Sequence, residues 1–103
     1  MKFSVVIITR NRWNDLERTI NAYKQQTWDK EIIVVDNGSD DGTKYKMKEV
    51  FPDIKYLWLP ENFDIRSINI GIEMSDGDII WRTDDDSNPE DIDAFRKVAK
   101  IFT

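Results

Sequence analysis

The sequence contains no cysteine and no histidine. Without cysteine the chain can form neither disulfides nor zinc–thiolate centres, and thiol catalysis is excluded. Without histidine it lacks the commonest general base and the commonest nitrogen ligand for metals. Any metal site must therefore be built from oxygen atoms, and any catalytic base must be Asp, Glu, Lys or Tyr.

Basic stripes and long apolar runs are also missing. The net charge of −5 over 103 residues argues against a surface for nucleic acid or for anionic membranes. No stretch approaches the length of a membrane span, and Met1-Lys2 leads straight into a predicted strand and not into a signal peptide. We therefore expect a cytoplasmic location, with the cytoplasmic face of the membrane as the alternative.

The length and an apolar fraction of 40% predict one small globular domain over residues 1–103. Apolar runs typical of buried strands cover residues 3–9, 31–36, 54–59 and 78–83, and helical patterns lie between and after them. This alternation predicts an α/β, Rossmann-like, three-layer α/β/α fold with a mainly parallel sheet of about four strands.

The helical patterns give the following expectations. The first helix begins at the cap residue Asn14, and the last begins at Asn88-Pro89. Gly77 ends the third helix. The residues expected on the buried faces are Leu16, Ile20 and Tyr23, then Tyr45, Met47, Val50 and Phe51, then Ile65, Ile68 and Ile72, and finally Ile92, Phe95, Val98 and Phe102.

Polar residues cluster directly after three of the predicted strands. Loops that follow parallel strands share one edge of a sheet, so these clusters are expected to converge on one cleft. They contain most of the candidate site residues: Thr9, Arg10 and Arg12 after the first strand, Asp36 and Asn37 after the second, and Asp84, Asp85 and Asp86 after the fourth.

Three consecutive carboxylates at residues 84–86 are the most informative feature. They repel one another, so a site that keeps them together is expected to supply a counter-charge. A divalent cation suits this role, because hard oxygen ligands favour Mg²⁺ or Mn²⁺. The alternative interpretation is a solvated acidic turn that favours the N-terminus of the following helix.

The sequence lacks the motifs of other nucleotide-binding sites and of calcium-binding loops. A calcium loop starting at Asp84 would meet Pro89 where it needs glycine. No strand is followed by a glycine-rich GK[ST] turn or by G-x-G-x-x-G, which argues against phosphate-loop hydrolases and dinucleotide dehydrogenases. A receiver-type signalling domain would carry an acidic pair after the first strand, where arginines stand instead.

The order of the motifs resembles the start of a family 2 glycosyltransferase. The matching segments are VVIITRNR at 5–12, QTW at 26–28, EIIVVDNGSDDGT at 31–43, PEN at 60–62, NIGI at 69–72, GD at 77–78 and DDD at 84–86. The acidic triplet resembles the DXD element of the GT-A fold. The resemblance covers nearly the whole chain.

This resemblance implies a site for a nucleotide sugar, commonly a UDP- or GDP-sugar, with Mg²⁺ or Mn²⁺ as cofactor. It implies a role for each candidate: Thr9, Arg10 and Arg12 border the base, Asp36 holds the base or ribose with Asn37 beside it, Asp84 lies near the ribose or metal, and Asp86 is the leading metal ligand with Asp85 as the alternative. Arg66 is expected near the nucleotide or diphosphate, the alternative being a solvent-facing helix arginine.

The chain departs from the family pattern in two places. Asp64 stands where family members often have glycine, and the spacing from Asn62 to Asn69 is one residue short. The acceptor site and the catalytic base of the family lie downstream of the acidic triplet, so this chain is expected to lack the acceptor-binding half.

Two functions therefore remain open. The chain is either the donor domain of an enzyme that transfers a sugar to an acceptor hydroxyl, or an inactive fragment that only binds nucleotide and metal. An open half-domain also predicts exposed apolar surface, which favours a homo-oligomer. Trp13 and Trp28, beside predicted loops, are the tryptophans that a partner would cover.

Overall fold

The computed structural model describes residues 1–63, 65–87, 89 and 92–102. Four strands alternate with four helices in this part of the chain, as the sequence predicts. In chain order they are β1 (Phe3–Thr9), α1 (Trp13–Lys24), β2 (Lys30–Asp36), α2 (Thr43–Val50), β3 (Lys55–Trp58), α3 (Arg66–Glu73), β4 (Ile79–Asp84) and α4 (Ala94–Phe102).

The strands form one parallel sheet in the order β3-β2-β1-β4. The chain first winds outward from β1 to β3 and then crosses back to place β4 on the other side of β1. Loops that follow β1 and β4 therefore lie next to each other at the carboxyl edge of the sheet, which is where open α/β sheets bind ligands. The predicted α/β/α architecture is confirmed.

Apolar residues fill both faces of the two central strands. On one face, α1, α2 and α4 pack over Phe3, Val5 and Ile7 and their neighbours on β2. On the other face, α3 packs over Val6, Ile33 and Val35. The helices α1, α2 and α4 form one layer and α3 belongs to the other, so the core lies in two parts separated by the sheet.

The strand β4 is not buried on both faces, although its sequence predicts a buried strand. It is an edge strand beside β1, and its side chains alternate in burial. Trp81 and Thr83 face the layer that contains α1 and α4, whereas Ile80, Arg82 and Asp84 are exposed on the opposite face. Arg82 interrupts the apolar run of β4 on that face, which explains why only one face of the strand is buried.

The predicted faces of α2 and α3 are partly wrong. Met47 and Phe51 are buried as expected, but Tyr45 and Val50 are exposed. In α3 the buried residues are Ser67 and Gly71, whereas Ile68 is half-buried and Ile72 is exposed. Ile65, directly before the helix, is exposed as well. A β-carbon at Gly71 would lie only 2.4 Å from Cγ1 of Val6, so the helix uses its small residues to approach the sheet.

Three helix boundaries also differ from expectation. The helix α1 begins at Trp13, so Asn14 lies inside it and does not cap it. The helix α3 ends at Glu73, and Gly77 instead lets the chain pass close to β1, because a β-carbon there would lie 2.5 Å from Oγ of Ser4. The helix α4 begins at Ala94; Pro89 precedes it outside the helix, and Asn88 lies outside the described residues.

The last helix and the tryptophans bear on the predicted self-association. Phe95 is buried as expected, while Ile92 and Phe102 are exposed. Trp13 lies inside the core against Phe51, so it is not available to a partner. Trp28 is half-buried, and its indole N–H donates to the carbonyl oxygen of Met1.

Among the residues that the structure describes, no helix is both long and apolar enough to cross a membrane.

Candidate functional site

The polar clusters that follow β1, β2 and β4 meet at the carboxyl edge of the sheet. Thr9 at the end of β1 pairs with Asp36 at the end of β2, and Ile8 pairs with Asp84 at the end of β4. Arg10 is exposed in the loop that follows Thr9. The convergence expected from strand order alone is therefore present.

Asp85, the middle carboxylate of the acidic turn at residues 84–87, points inward. Its side chain is 7% exposed, Oδ2 accepts a hydrogen bond of 2.9 Å from Oγ1 of Thr9, and Oδ1 lies 3.6 Å from Nε of Arg12. Burial raises the pKa of Asp85, and the Thr9 hydroxyl and the Arg12 guanidinium partly oppose that rise. This carboxylate is thus largely buried and is held by Thr9 and Arg12.

Asp84 and Asp86, on either side of it, are exposed. The guanidinium of Arg12 lies 3.5 Å from Oδ2 of Asp86 and 3.2 Å from Oδ2 of Asp15. Asp85, followed by the hydrogen bond to Asp15, raises the pKa of Arg12. Part of the counter-charge that the acidic triplet requires is therefore supplied by Arg12.

The described residues contain no group of three or more acidic side chains positioned to hold a metal ion. The exposed carboxylates of Asp84 and Asp86 nevertheless offer the oxygen chemistry that Mg²⁺ and Mn²⁺ prefer. Mg²⁺ is usually bound through one or two carboxylates together with substrate phosphates and water. Asp84 is exposed at the edge of an open pocket and Asp86 is exposed in the same turn, so two carboxylates are available for that kind of site.

Asp36 and Asn37 connect the end of β2 to its surroundings. Asp36 is fully buried, and its carboxylate accepts hydrogen bonds from the backbone N–H of Ser39 at 2.9 Å and from the hydroxyl of Tyr56 at 2.5 Å. Burial and then this hydrogen bond raise the pKa of Tyr56. In this structure the Asp36 carboxylate is therefore engaged within the protein and does not line the open cleft.

Asn37 bridges to α3 and to the segment before it. Its amide nitrogen donates to Oγ of Ser67 at 3.2 Å, and its side-chain oxygen accepts from the backbone N–H of Phe63 at 3.2 Å. Arg66 is exposed and stacks over the ring of Phe63 at 5.1 Å. The sequence left open whether Arg66 faces ligand or solvent, and that role stays a prediction.

Asn11 and Ser39 join the loops after β1 and β2, a contact that the sequence analysis missed. The backbone N–H of Asn11 donates to Oγ of Ser39 at 2.8 Å, and the Asn11 side chain accepts from the backbone N–H of Asp40 at 2.8 Å. Asn11 adopts a left-handed backbone with φ of 53°. Asparagine tolerates this conformation better than most residues, which is the signal that could have identified it.

An open pocket of about 300 Å³ lies on the α3 face of the carboxyl edge. It is bounded by Ile8 and Asn37 from the sheet, Ile65 and Ile68 near α3, and Asp84 and Arg82 from β4. Arg82 also borders the adjoining pocket around Asp84, Thr83 and Ser87. Arg82 and Asp84 thus border the same two pockets, although in the sequence Arg82 is predicted only as part of a strand.

A larger open pocket of about 420 Å³ lies at the opposite edge of the sheet, between Lys24, Lys30 and Lys55. Its charged groups already have partners in the protein: Lys24 pairs with Asp53, Lys30 donates to the carbonyl oxygen of Gln26, and Lys55 pairs with Glu31 at 2.8 Å. None of the predicted site residues lies there, so size alone does not identify the functional site.

Comparison with known proteins identifies the family. Residues 4–102 match the family described as glycosyl transferase family 2. The chain belongs to glycosyl transferase family 2. The resemblance inferred from the ordered motifs is therefore confirmed, and the solved structures described next share the fold of this chain.

One relative of this family 2 chain is the glycosyltransferase AglE of Haloferax volcanii, which is 34% identical over 93 residues. Two solved structures are similar in fold. The S. aureus TarS 1–349 complex with UDP has a TM-score of 0.87 at 22% identity, covering 99% of this chain. The Pyrobaculum calidifontis mannosyltransferase PcManGT in complex with GDP-Man and Mn²⁺ has a TM-score of 0.80 at 23% identity, covering 95% of this chain.

This family 2 chain spans about a third of the length of these proteins. The match to AglE covers 84% of this chain but 31% of AglE. The corresponding shares are 32% of the TarS 1–349 chain and 31% of the PcManGT chain.

Proposed function

We propose that this chain binds the nucleotide-diphospho-sugar donor of a glycosyl transfer reaction at the carboxyl edge of its sheet. One observation carries the proposal. Thr9 and Arg12 hold Asp85 inside the protein, and this leaves Asp84 exposed beside the pocket on the α3 face and Asp86 exposed beside Arg12. The acidic triplet of this family 2 chain therefore begins at the edge of an open pocket.

The residues of the cleft suggest a division of roles. Asn37 and the apolar side chains of Ile8 and Ile68 bound a surface on which a base or ribose can lie. Arg82, Arg12 and Arg10 provide positive charge for phosphate oxygens, because guanidinium groups bind phosphate through charge-assisted hydrogen bonds. Asp36 supports this site indirectly, because its carboxylate fixes the loop that starts at Asn37.

A divalent ion would be held by Asp86 together with Asp84, and it would neutralise charge that develops on the departing diphosphate. The mannosyltransferase with a similar fold was solved with GDP-Man and Mn²⁺, which supports a divalent cofactor for this chain also. Arg12 keeps the acidic turn partly neutral when no other cation is present, because its guanidinium contacts both Asp85 and Asp86.

We propose UDP or GDP as the nucleotide part, on the basis of the nucleotides in the complexes of the similar structures. The alternative function is a chain that binds nucleotide and metal without turnover. The share of each relative that this chain covers favours a donor-binding part of the transferase, so we expect weak or absent transfer by residues 1–103 alone.

Thermal unfolding with UDP and GDP, each with and without Mn²⁺, tests donor binding. A ligand at a hundredfold its dissociation constant stabilises a protein by about 2.7 kcal/mol if it binds only the folded state. We expect Asp86→Ala to remove the Mn²⁺-dependent part of the stabilisation. The control is Asp53→Ala, which removes an exposed carboxylate at the opposite edge of the sheet.

The absence of a shift with either nucleotide would refute donor binding. An equal shift with and without Mn²⁺ would leave nucleotide binding in place and refute the metal role of Asp86. Transfer from labelled UDP- and GDP-sugars to added acceptors then separates the two functions, since a turnover rate in the ordinary range for transferases would exclude the binding-only alternative.

A further inference from the structure

The acidic turn at residues 84–87 rests on the polar side of α1. Thr19 of this helix is 2% exposed, and its Oγ1 lies 2.7 Å from the carbonyl oxygen of Asp85 and 2.9 Å from that of Ser87. Both distances are within hydrogen-bonding range, so the one hydroxyl hydrogen is shared between the two carbonyls. A single buried side chain thus contacts the backbone of the turn at two points.

This contact is unusual for a threonine inside a helix. Such a hydroxyl commonly bonds to a carbonyl one turn earlier in its own helix. Here it bonds to a segment 66 residues away in sequence, and the bond to Asp85 is buried. The Thr19 hydroxyl therefore holds the turn that follows β4 and not the helix to which Thr19 belongs.

A second side chain of α1 supports the same turn. The hydroxyl of Tyr23 lies 3.4 Å from Oγ of Ser87 and accepts a hydrogen bond of 3.2 Å from the indole N–H of Trp81. Tyr23 is 2% exposed. Helix α1 thus contacts the end of β4 both before and after the acidic residues, through Trp81 and Ser87.

We infer that Thr19 is a positioning residue for the donor site. Its hydroxyl holds the backbone of the turn through two carbonyl oxygens. The backbone held in this way directs Asp85 inward to Thr9 and leaves Asp84 and Asp86 exposed. This inference rests on the proposed function, because it assigns Thr19 the task of holding Asp86 where a nucleotide-bound cation can reach it.

The test compares Thr19→Val, which keeps the shape but removes the hydroxyl, with Thr19→Ser, which keeps the hydroxyl. The quantity measured by calorimetry is the ratio of UDP or GDP affinity in Mn²⁺ to that in EDTA. We expect Thr19→Val to lower this ratio about tenfold, since loss of groups that orient metal ligands typically weakens metal affinity 10- to 100-fold. Thr19→Ser is expected to retain most of the ratio.

Ser4→Ala serves as the matched control. It removes a fully buried hydroxyl that bonds to Glu31 at the opposite edge of the sheet. We expect it to lower stability without changing the ratio. If Thr19→Val does not fold, Tyr23→Phe replaces it, because it removes only the hydroxyl that contacts Ser87 and Trp81, and a smaller reduction of the same ratio is expected.

Each other outcome contradicts the inference. An unchanged ratio, or an equal loss of affinity in Mn²⁺ and EDTA, means that Thr19 only supports the fold. If the unaltered protein binds nucleotide with the same affinity in Mn²⁺ and EDTA, the inference fails while nucleotide binding stands. If it binds no nucleotide, the proposed function fails and this inference fails with it.

Discussion

Gly71 is the position where the structure makes the sharpest prediction about stability. It lies in α3 against the sheet, and a methyl group added there would lie 2.4 Å from Cγ1 of Val6 and 3.3 Å from Cγ2 of Val35. Ordinary contacts begin at about 3.4 Å, so Gly71→Ala requires α3 or Val6 to give way by about 1 Å. Val6 is fully buried and β-branched, which restricts its side-chain rotation.

Two opposing effects determine the magnitude. Adding a methylene to a packed core typically destabilises by about 1–3 kcal/mol. Replacing glycine by alanine inside a helix returns up to about 1 kcal/mol of helix propensity. An overlap of about 1 Å with a fully buried side chain places the cost in the upper part of that range, at about 2–3 kcal/mol. After the gain in helix propensity, we expect Gly71→Ala to lower the free energy of unfolding by about 1–2 kcal/mol.

Urea unfolding followed by tryptophan fluorescence measures this difference. The control is Asn69→Ala, an exposed position of the same helix, where the helix propensity increases without a steric clash. The control is expected to be neutral or slightly stabilising. A Gly71→Ala protein that is as stable as the unaltered one would refute the reasoning that close approach, and not propensity, explains this glycine.

Three further predictions concern buried hydrogen bonds, acid stability and the ligand. Tyr56→Phe removes a donor to the buried carboxylate of Asp36, so the free energy of unfolding in urea should fall by about 1–3 kcal/mol, and no change would contradict the role of that bond. Burial alone would raise the pKa of Glu31, but its hydrogen bonds lower it from 4.5 to about 2. The free energy that these bonds add to folding is therefore fully present above the ordinary pKa of 4.5 and is lost as the pH falls towards 2. In acid unfolding, the Glu31→Gln variant should not show this loss. A variant with the same acid unfolding profile as the unaltered protein would contradict the prediction. Arg82→Met should weaken UDP or GDP binding in EDTA about tenfold, whereas Arg18→Met, an equal change of charge on α1, should not. If calorimetry shows equal nucleotide affinities for the two variants, Arg82 is not part of the binding site.

Much of the fold could be predicted from sequence because its central strands are uniformly apolar. The boundaries of β1 were predicted correctly, and those of β2 to within one residue, since both faces of these strands are covered by helices. The buried face predicted for α3 was wrong because its isoleucines dominate the hydrophobic pattern. Gly71, which decides the packing, contributes little to that pattern and acts through its size.

The convergence of the candidate residues at one edge of the sheet was predictable, but the directions of their side chains were only partly so. Strand order brings Thr9 and Asp84 to the same edge, and this required only the alternation of strands and helices. The identity of the three residues alone does not indicate which one points inward. Continuing the alternation of β4 would have identified Asp85, since Thr83 and Asp85 are buried and Asp84 and Asp86 are exposed. Thr19 carried no comparable signal, because its partners are backbone carbonyls.

The inward direction of Asp85 has a consequence for how such sequences can diverge. The outer two members of the triplet are exposed, where the proposed ligand would bind, whereas the middle one is hydrogen-bonded to the residue at position 9. Related chains should therefore vary positions 9 and 85 together: a threonine or serine opposite a hydrogen-bond acceptor, and an apolar residue opposite an apolar residue. A spacing of acid, any residue, acid would then reflect the geometry of a strand end, in which every second side chain faces the interior.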